Sequence, residues 1–240
     1  MLKLLSIITL TSLLATTCTY AAGNDNNSDV ANFRQAKKQL VKIIHKLDKP
    51  KTIYCGCDIV LTKNGYYPNL GSCGYKVRKN TKRANRIEAE HIVSAHEFGS
   101  KFSCWVAGGR QNCTENDRNF AKMEGDLHNL YPAIGEVNGD RRNYKFKEVV
   151  KGKSPYGKCQ MVIDTKRQVA MIPKRAQGQV ARAYLYMADR YNLPLDPEHI
   201  NLFNRWNKQN KPTKNECLYN KYVAKVQGND NPFVTKLCKY

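Results

Sequence analysis

Glu90 and His91 are adjacent, and six cations (Lys76, Arg78, Lys79, Lys82, Arg83 and Arg86) stand shortly before them. A carboxylate can hold a divalent metal, and a neutral imidazole can take a proton from water near neutral pH. The cations draw in a polyanion through its phosphates. Metal-assisted phosphodiester hydrolysis uses all three. A Glu-His pair alone is common, and read blandly Glu90 to Gly99 is a helix start with Ile92, Val93 and Phe98 toward a core. A second segment raises its weight: Lys122-Met123-Glu124-Gly125-Asp126-Leu127-His128-Asn129-Leu130-Tyr131-Pro132, running on to Gly135-Glu136-Val137-Asn138-Gly139-Asp140-Arg141. Its plain reading is an acidic helix and a turn in which Asn138-Gly139 supplies positive backbone angles. A rigid turn of that kind is also a place to fix an Asn oxygen on a metal.

These residues need elements to hold them and a compartment to work in. The chain opens Met1-Leu2-Lys3, then an apolar run from Leu4 to about Ala15, then small residues through Ala21-Ala22-Gly23, which reads as a signal peptide over 1–22. The run is short of the roughly 20 residues a membrane-spanning helix needs. Cys18 as a lipid anchor ranks below a free, exported protein, since Ala15-Thr16-Thr17 fits such processing poorly. Beyond the leader stand Cys55, Cys57, Cys73, Cys104, Cys113, Cys159, Cys217 and Cys238, an even set that argues for four disulfides in an oxidising compartment. The Cys55-x-Cys57 spacing is too short for a common zinc knuckle. The pairing is open.

Residues 23–240 suit one continuous domain, with 41% apolar residues over the whole chain and a net charge of +20. So large a surplus of cations is kept where the partner is anionic. A helix is expected from a cap at Ser28 or Asp29 to about Leu47, then short strands and turns from Tyr54 to Tyr75, with Asp58 to Leu61 the best strand. Ile87 to Ala95 reads as a strand end entering a helix, and Cys104 to Cys113 as a loop around Gly108-Gly109. Helical spacing covers Asp117 to Asn129, ended by Leu130-Tyr131-Pro132, and Cys159 to Val169 reads as a strand. Gly178–Tyr191, Asp196–Asn207 and Glu216–Val226 are helices. The fold class is α+β, a single helix-rich mixed domain with its strands near the site.

Together the segments resemble the bacterial periplasmic and secreted endonuclease I family, nonspecific nucleases with a ββα-metal (His-Me finger) active site. The likeness takes in Glu90-His91, Gly108-Gly109-Arg110, Met123-Glu124, Asp126 to Leu130, Gly135 to Arg141, Phe203 to Lys208 and Ala224 to Asn229. It runs from about residue 30 to the C-terminus and includes the eight cysteines. The resemblance implies that His91 is the general base and that Glu90 and Asn138 are the ligands of one divalent cation. That cation would be Mg2+, with Mn2+ or Ca2+ as substitutes. It implies that Glu124 accepts from the imidazole of His91 and orients it, and that Arg110 contacts the scissile or product phosphate, where its fork suits two oxygens. Ser94 departs from the family, which often has proline there, and is expected to alter a turn and leave the chemistry intact. His128 is read as structural.

The implied enzyme is an exported, Mg2+-dependent, sequence-nonspecific endonuclease of DNA and also RNA, acting as a monomer in the periplasm or outside the cell and leaving 5′-phosphate ends. Contacts should go mainly to backbone phosphates, since no base-reading helix module is present. Lys76 to Arg86, Arg141-Arg142 and the cations near Lys174-Arg175 are candidates for a DNA groove, although any one of them is more often solvated surface. A base that works as neutral His91 implies activity that falls below its pKa. Reduction would remove disulfides worth roughly 2–4 kcal/mol each, so a reduced copy is expected to be inactive. Two rivals stand beside this reading. One is a metal-independent ribonuclease using His91 and His96 as acid and base; the other is a basic nucleic-acid- or heparin-binding protein without catalysis. An antimicrobial, membrane-directed role is weaker, for want of a basic amphipathic helix with a broad apolar face.

Overall fold

The computed structural model describes residues 30–239, so the leader expected at 1–22 and the caps expected at Ser28 or Asp29 lie outside the described residues. The first helix, α1 (Phe33–Ile44), is opened instead by Asn32. Its Oδ1 accepts from the Gln35 amide at 3.1 Å, and the Gln35 side chain accepts in return from the Ala31 amide at 2.7 Å, a variant of the capping box. Ala36, Leu40, Ile43 and Ile44 face the core. The helix stops before Leu47 because Lys46 and Leu47 bond only three residues back, and Lys49 then turns to φ 45° ahead of Pro50.

Strands β1 (Asp58–Thr62) and β2 (Gly65–Asn69) form an antiparallel hairpin. A short α2 (Thr81–Ala84) leads into β3 (Ile87–His91), then α3 (Ala95–Gly99), α4 (Ser103–Asn116) and α5 (Arg118–Glu124). Strand β4 (Leu130–Ile134) returns antiparallel to β3 and passes at once into α6 (Gly135–Arg141). Two short strands, β5 (Lys145–Phe146) and β6 (Val162–Asp164), flank β7 (Val169–Met171) in the order β5-β7-β6. The chain closes with α7 (Lys174–Tyr191), α8 (Pro197–Gln209), α9 (Lys214–Gln227) and α10 (Pro232–Thr235).

Among the described residues this is a mixed, helix-rich fold in one domain, as the sequence implies, and α7 is the helix that contributes most residues to its interior. Its Arg182 is itself buried and meets Glu216 of α9 through two bonds of 2.6 and 2.7 Å, a bidentate pair that locks the two helices. No helix of the described residues is long and apolar enough to cross a membrane.

Four local expectations are corrected. Cys104 to Cys113 is helical on both sides of a break, not a loop: Gly109 takes φ 71° and ψ −162°, a region open essentially to glycine alone. Leu130-Tyr131-Pro132 ends a helical turn but also begins β4, where Tyr131 pairs with Glu90 and Leu130 with His91. Asn138-Gly139 is not a positive-φ turn; both residues lie inside α6. Gly139 leaves room for the Arg83 guanidinium, which Glu88 holds: a Cβ would fall 1.9 Å from one of its nitrogens and displace it. Cys159 to Val169 is two short strands around a turn, because Gln168 at φ 56° reverses the chain. Ser94 accepts from the Glu97 amide at 3.1 Å and caps α3.

The eight cysteines form Cys55–Cys159, Cys57–Cys73, Cys104–Cys113 and Cys217–Cys238. Cys55–Cys159 closes a span of 104 residues and Cys104–Cys113 one of 9. On the chain-entropy account the long bridge contributes about 4–5 kcal/mol and the short one about 2–3 kcal/mol. Urea titration should therefore show a larger fall in stability for Cys55→Ala/Cys159→Ala than for Cys104→Ala/Cys113→Ala; the reverse order would rule out loop closure as the dominant effect.

Candidate active site

The β3 strand ends at a groove of about 820 Å³, lined among others by Phe33, Glu88, Glu90, His91, His96, Trp105, Arg110, Asn138, Arg141 and Arg142. Four of the five residues singled out from the sequence therefore meet at one surface. The fifth, Glu124, lies directly behind it.

His91 is buried, and its Nε2 lies 2.8 Å from the main-chain oxygen of Glu124. A carbonyl only accepts, so Nε2 carries the proton and Nδ1 is left with a free lone pair. The Phe33 ring packs at 4.7 Å from the imidazole and fixes its plane. Burial, with the nearby Arg110 charge adding to it, pulls His91 down to about 3, so the ring is neutral through the physiological range.

Glu124 is the expected partner, but by an unexpected atom. Its carboxylate does not reach the imidazole; Oε1 accepts from Arg110 Nε at 2.6 Å and Oε2 from Thr114 Oγ1 at 2.9 Å. Arg110 sits just past the Gly108-Gly109 break, which turns the second half of α4 toward α5. The guanidinium lies over the Phe33 ring at 5.3 Å, and its terminal amino groups have no acceptor among the described residues.

Glu90 is 1% exposed. Its Oε1 accepts from the Tyr54 hydroxyl at 2.6 Å and from Arg141 Nη1 at 3.1 Å, while Oε2 has no donor among the described residues. Burial pushes the Glu90 carboxyl above the usual range, against Arg141 and Tyr54, which pull it down. Asn138 is oriented by Glu88: the Asn138 amide nitrogen donates to Glu88 Oε2 at 2.9 Å, and since a carboxylate only accepts, the Asn138 oxygen is left free.

Two hard oxygens could serve a metal here, that of Asn138 and Oε2 of Glu90, a buried carboxylate whose desolvation Arg141 and Tyr54 do not fully offset. That set fits Mg2+, which keeps several waters and needs few protein ligands. Among the described residues no three His, Cys, Asp or Glu side chains form a ligand cluster.

Sequence reasoning missed Tyr54, Glu88 and Arg141. Arg141, read there as a candidate for the DNA groove, is 1% exposed and holds the site from beneath. Besides Glu90, it donates to the carbonyls of His91 at 2.8 Å and Ile92 at 2.6 Å, with its Cζ 4.5 Å over the Phe146 ring. A helical reading of Gly135–Arg141 would have put Arg141 one turn from buried Val137 and on the inner face. Arg175 is likewise structural, its Nη1 bonding the carbonyls of Thr52, Ile53 and Tyr54. The six-cation run is partly neutralised: Arg78 and Lys79 pair with Asp140, and Arg83 and Arg86 with Glu88. His128, as expected, is structural, buried with Nε2 2.8 Å from the Asn229 carbonyl.

An antiparallel pair of strands followed by a short helix brings a histidine, a carboxylate, an amide oxygen and an arginine to one groove. Residues 32–238 match the family model of Endonuclease I. The chain is 47% identical over 212 residues to a periplasmic deoxyribonuclease of Aeromonas hydrophila, covering 88% of each chain. An extracellular deoxyribonuclease of the same organism is 48% identical over 208 residues, covering 86% of this chain and 90% of that one. Endonuclease-1 of Buchnera aphidicola subsp. Baizongia pistaciae is 43% identical over 236 residues, 98% and 95% of the two chains. The protein belongs to the endonuclease I family and is an endonuclease.

The His91 environment has a direct signature. A histidine whose folded pKa lies below its unfolded value of about 6.5 lets the unfolded chain take up a proton that the folded chain refuses. Its contribution to stability is therefore intact above that pH and is lost as the pH falls toward about 3. At pH 5 the loss from one such group is about 2 kcal/mol. In the metal-free protein, nitrogen NMR should show His91 as the neutral, Nε2-protonated tautomer from pH 8 to about pH 4.5. Titration near pH 6.5 would contradict the burial described.

Proposed function

We propose that the protein is an exported, Mg2+-dependent endonuclease with little sequence preference, hydrolysing DNA and, at the same site, RNA. The observation that carries the reading is the His91 imidazole, held by one nitrogen so that the other is presented as a base. His91 Nδ1 takes the proton of a water molecule as its oxygen attacks phosphorus. The P–O3′ bond breaks and the departing O3′ takes a proton from solvent water, so the product ends are 5′-phosphate and 3′-hydroxyl. Glu90 Oε2 and the Asn138 side-chain oxygen would hold the metal, and Glu88 keeps the Asn138 amide turned the right way. When bound, the cation supplies positive charge against the negative charge that builds in the transition state.

Arg110, seated on Glu124 through Nε, offers its terminal amino groups to the phosphate oxygens. Phe33 and Tyr54 keep the base and the carboxylate from reorienting. The disulfides suit an oxidising compartment, and relatives named as periplasmic and extracellular enzymes support export.

His96 lines the same groove, with its ring at 5.8 Å from that of Trp105, so a ribonuclease pairing His91 with His96 is the reading to separate. The oxidised mature protein should nick closed circular plasmid DNA with Mg2+, and EDTA should stop it. His91→Ala should slow it by about 10²–10⁴-fold, the usual worth of a positioned base. Cleavage confined to RNA and indifferent to EDTA would favour the two-histidine reading. DNA binding with no cleavage of either nucleic acid would leave a binding protein.

A further inference from the structure

Arg142 follows α6 directly and takes φ 54° and ψ −127°, a backbone region that suits glycine and strains an arginine. Its side chain is exposed and has no partner among the described residues. Asparagine or glycine would sit there with less strain, yet the chain places a guanidinium. Arg142 also lines two cavities at once. One is the active-site groove; the other is a pocket of about 140 Å³ lined by Arg78, Lys79, Asp140, Arg142, Pro155, Tyr156, Ile163 and Thr165.

Three cations and one carboxylate line that second pocket. Asp140 is already shared, accepting from Arg78 at 3.0 and 2.7 Å and from the Tyr156 hydroxyl at 2.7 Å, with Lys79 Nζ at 3.5 Å. Lys79 is 62% exposed and Arg142 is unpaired, so the pocket keeps a net positive charge in reach of solvent. The Arg142 amide donates to the Asn138 carbonyl, which places the two residues one helical turn apart. One turn is about 5.4 Å along the axis, and a nucleic-acid strand carries a phosphate about every 3.4 Å of its helix axis. Asn138 and Arg142 line the same groove, so a strand whose scissile phosphate lies beside Asn138 has a neighbouring phosphate within reach of Arg142.

We infer that Arg142, with Lys79 and Arg78, forms a second phosphate subsite that grips the backbone one or two nucleotides from the bond cut, on the Asn138 side. The inference rests on the groove being the active site. Arg142 acts here in binding the strand and takes no part in the chemistry.

The test is the salt dependence of binding to a short fluorescent duplex DNA, measured in EDTA on the His91→Ala protein with and without a change at position 142. Arg142→Gln removes the charge and keeps the strain; Arg142→Gly removes both. Each should make the slope of log affinity against log salt shallower by about 0.9, the value of one phosphate contact. Relative to the parent, binding should then be about eightfold weaker at 0.1 M salt when the curves are matched at 1 M. Arg142→Gly should also melt at a higher temperature than Arg142→Gln. Slopes equal to the parent's in both variants would overturn the subsite. Undiminished cleavage by His91→Ala would instead sink the active-site reading, and it is scored separately from the slopes.

Discussion

One buried guanidinium organises the site. Arg141 donates to the Glu90 carboxylate and to the carbonyls of His91 and Ile92, so it holds both a side chain of the pair and the strand end that carries it. Burying such a charge costs several kcal/mol, and the attraction of Glu90 offsets that only with further bonds of good geometry. Those bonds are the two carbonyls and the Phe146 face beneath. Remove the arginine, and Glu90 is an unpaired buried carboxylate, a loss on the order of 3–5 kcal/mol in comparable pairs. The arrangement also explains why Glu90 has one oxygen to offer: Arg141 and Tyr54 both bind the other.

The chain's positive charge is less available than its composition suggests. Asp140 and Glu88 between them hold four of the six cations before β3, and those pairs knit α2, β3 and α6 into one unit. Glu88 has a double task, since its second oxygen also orients Asn138. Part of the basic run is therefore scaffold. Of the five arginines that line the groove, Arg83, Arg86 and Arg141 are held by Glu88 or Glu90, whereas the terminal amino groups of Arg110 and the side chain of Arg142 have no acceptor among the described residues.

Which residues share the groove is more legible in the sequence than how they are bonded. Glu90, His91, Arg110 and Asn138 were found because their types and order match a known pattern, and they do line one groove. The long amphipathic helices were legible from apolar spacing, Lys174–Tyr191 above all. Two things were not legible. A main-chain acceptor has no sequence signature, so the carbonyl that binds His91 was credited to the Glu124 carboxylate. Asn138-Gly139 is strong turn chemistry, and only the Arg83 guanidinium packed against Gly139 shows why glycine stands inside a helix. That misreading also hid Arg141, since a residue placed in a turn is not expected in a core.

Position 124 serves two masters with separate atoms. Its carboxylate seats Arg110, while its backbone oxygen fixes the imidazole of His91. Every amino acid has that oxygen, but few have the carboxylate. In the drift of homologous sequences, residues 110 and 124 are therefore coupled and must change together, whereas the histidine is indifferent to what side chain its partner carries. An alignment would show covariation along one of these contacts and silence along the other, although both are equally close.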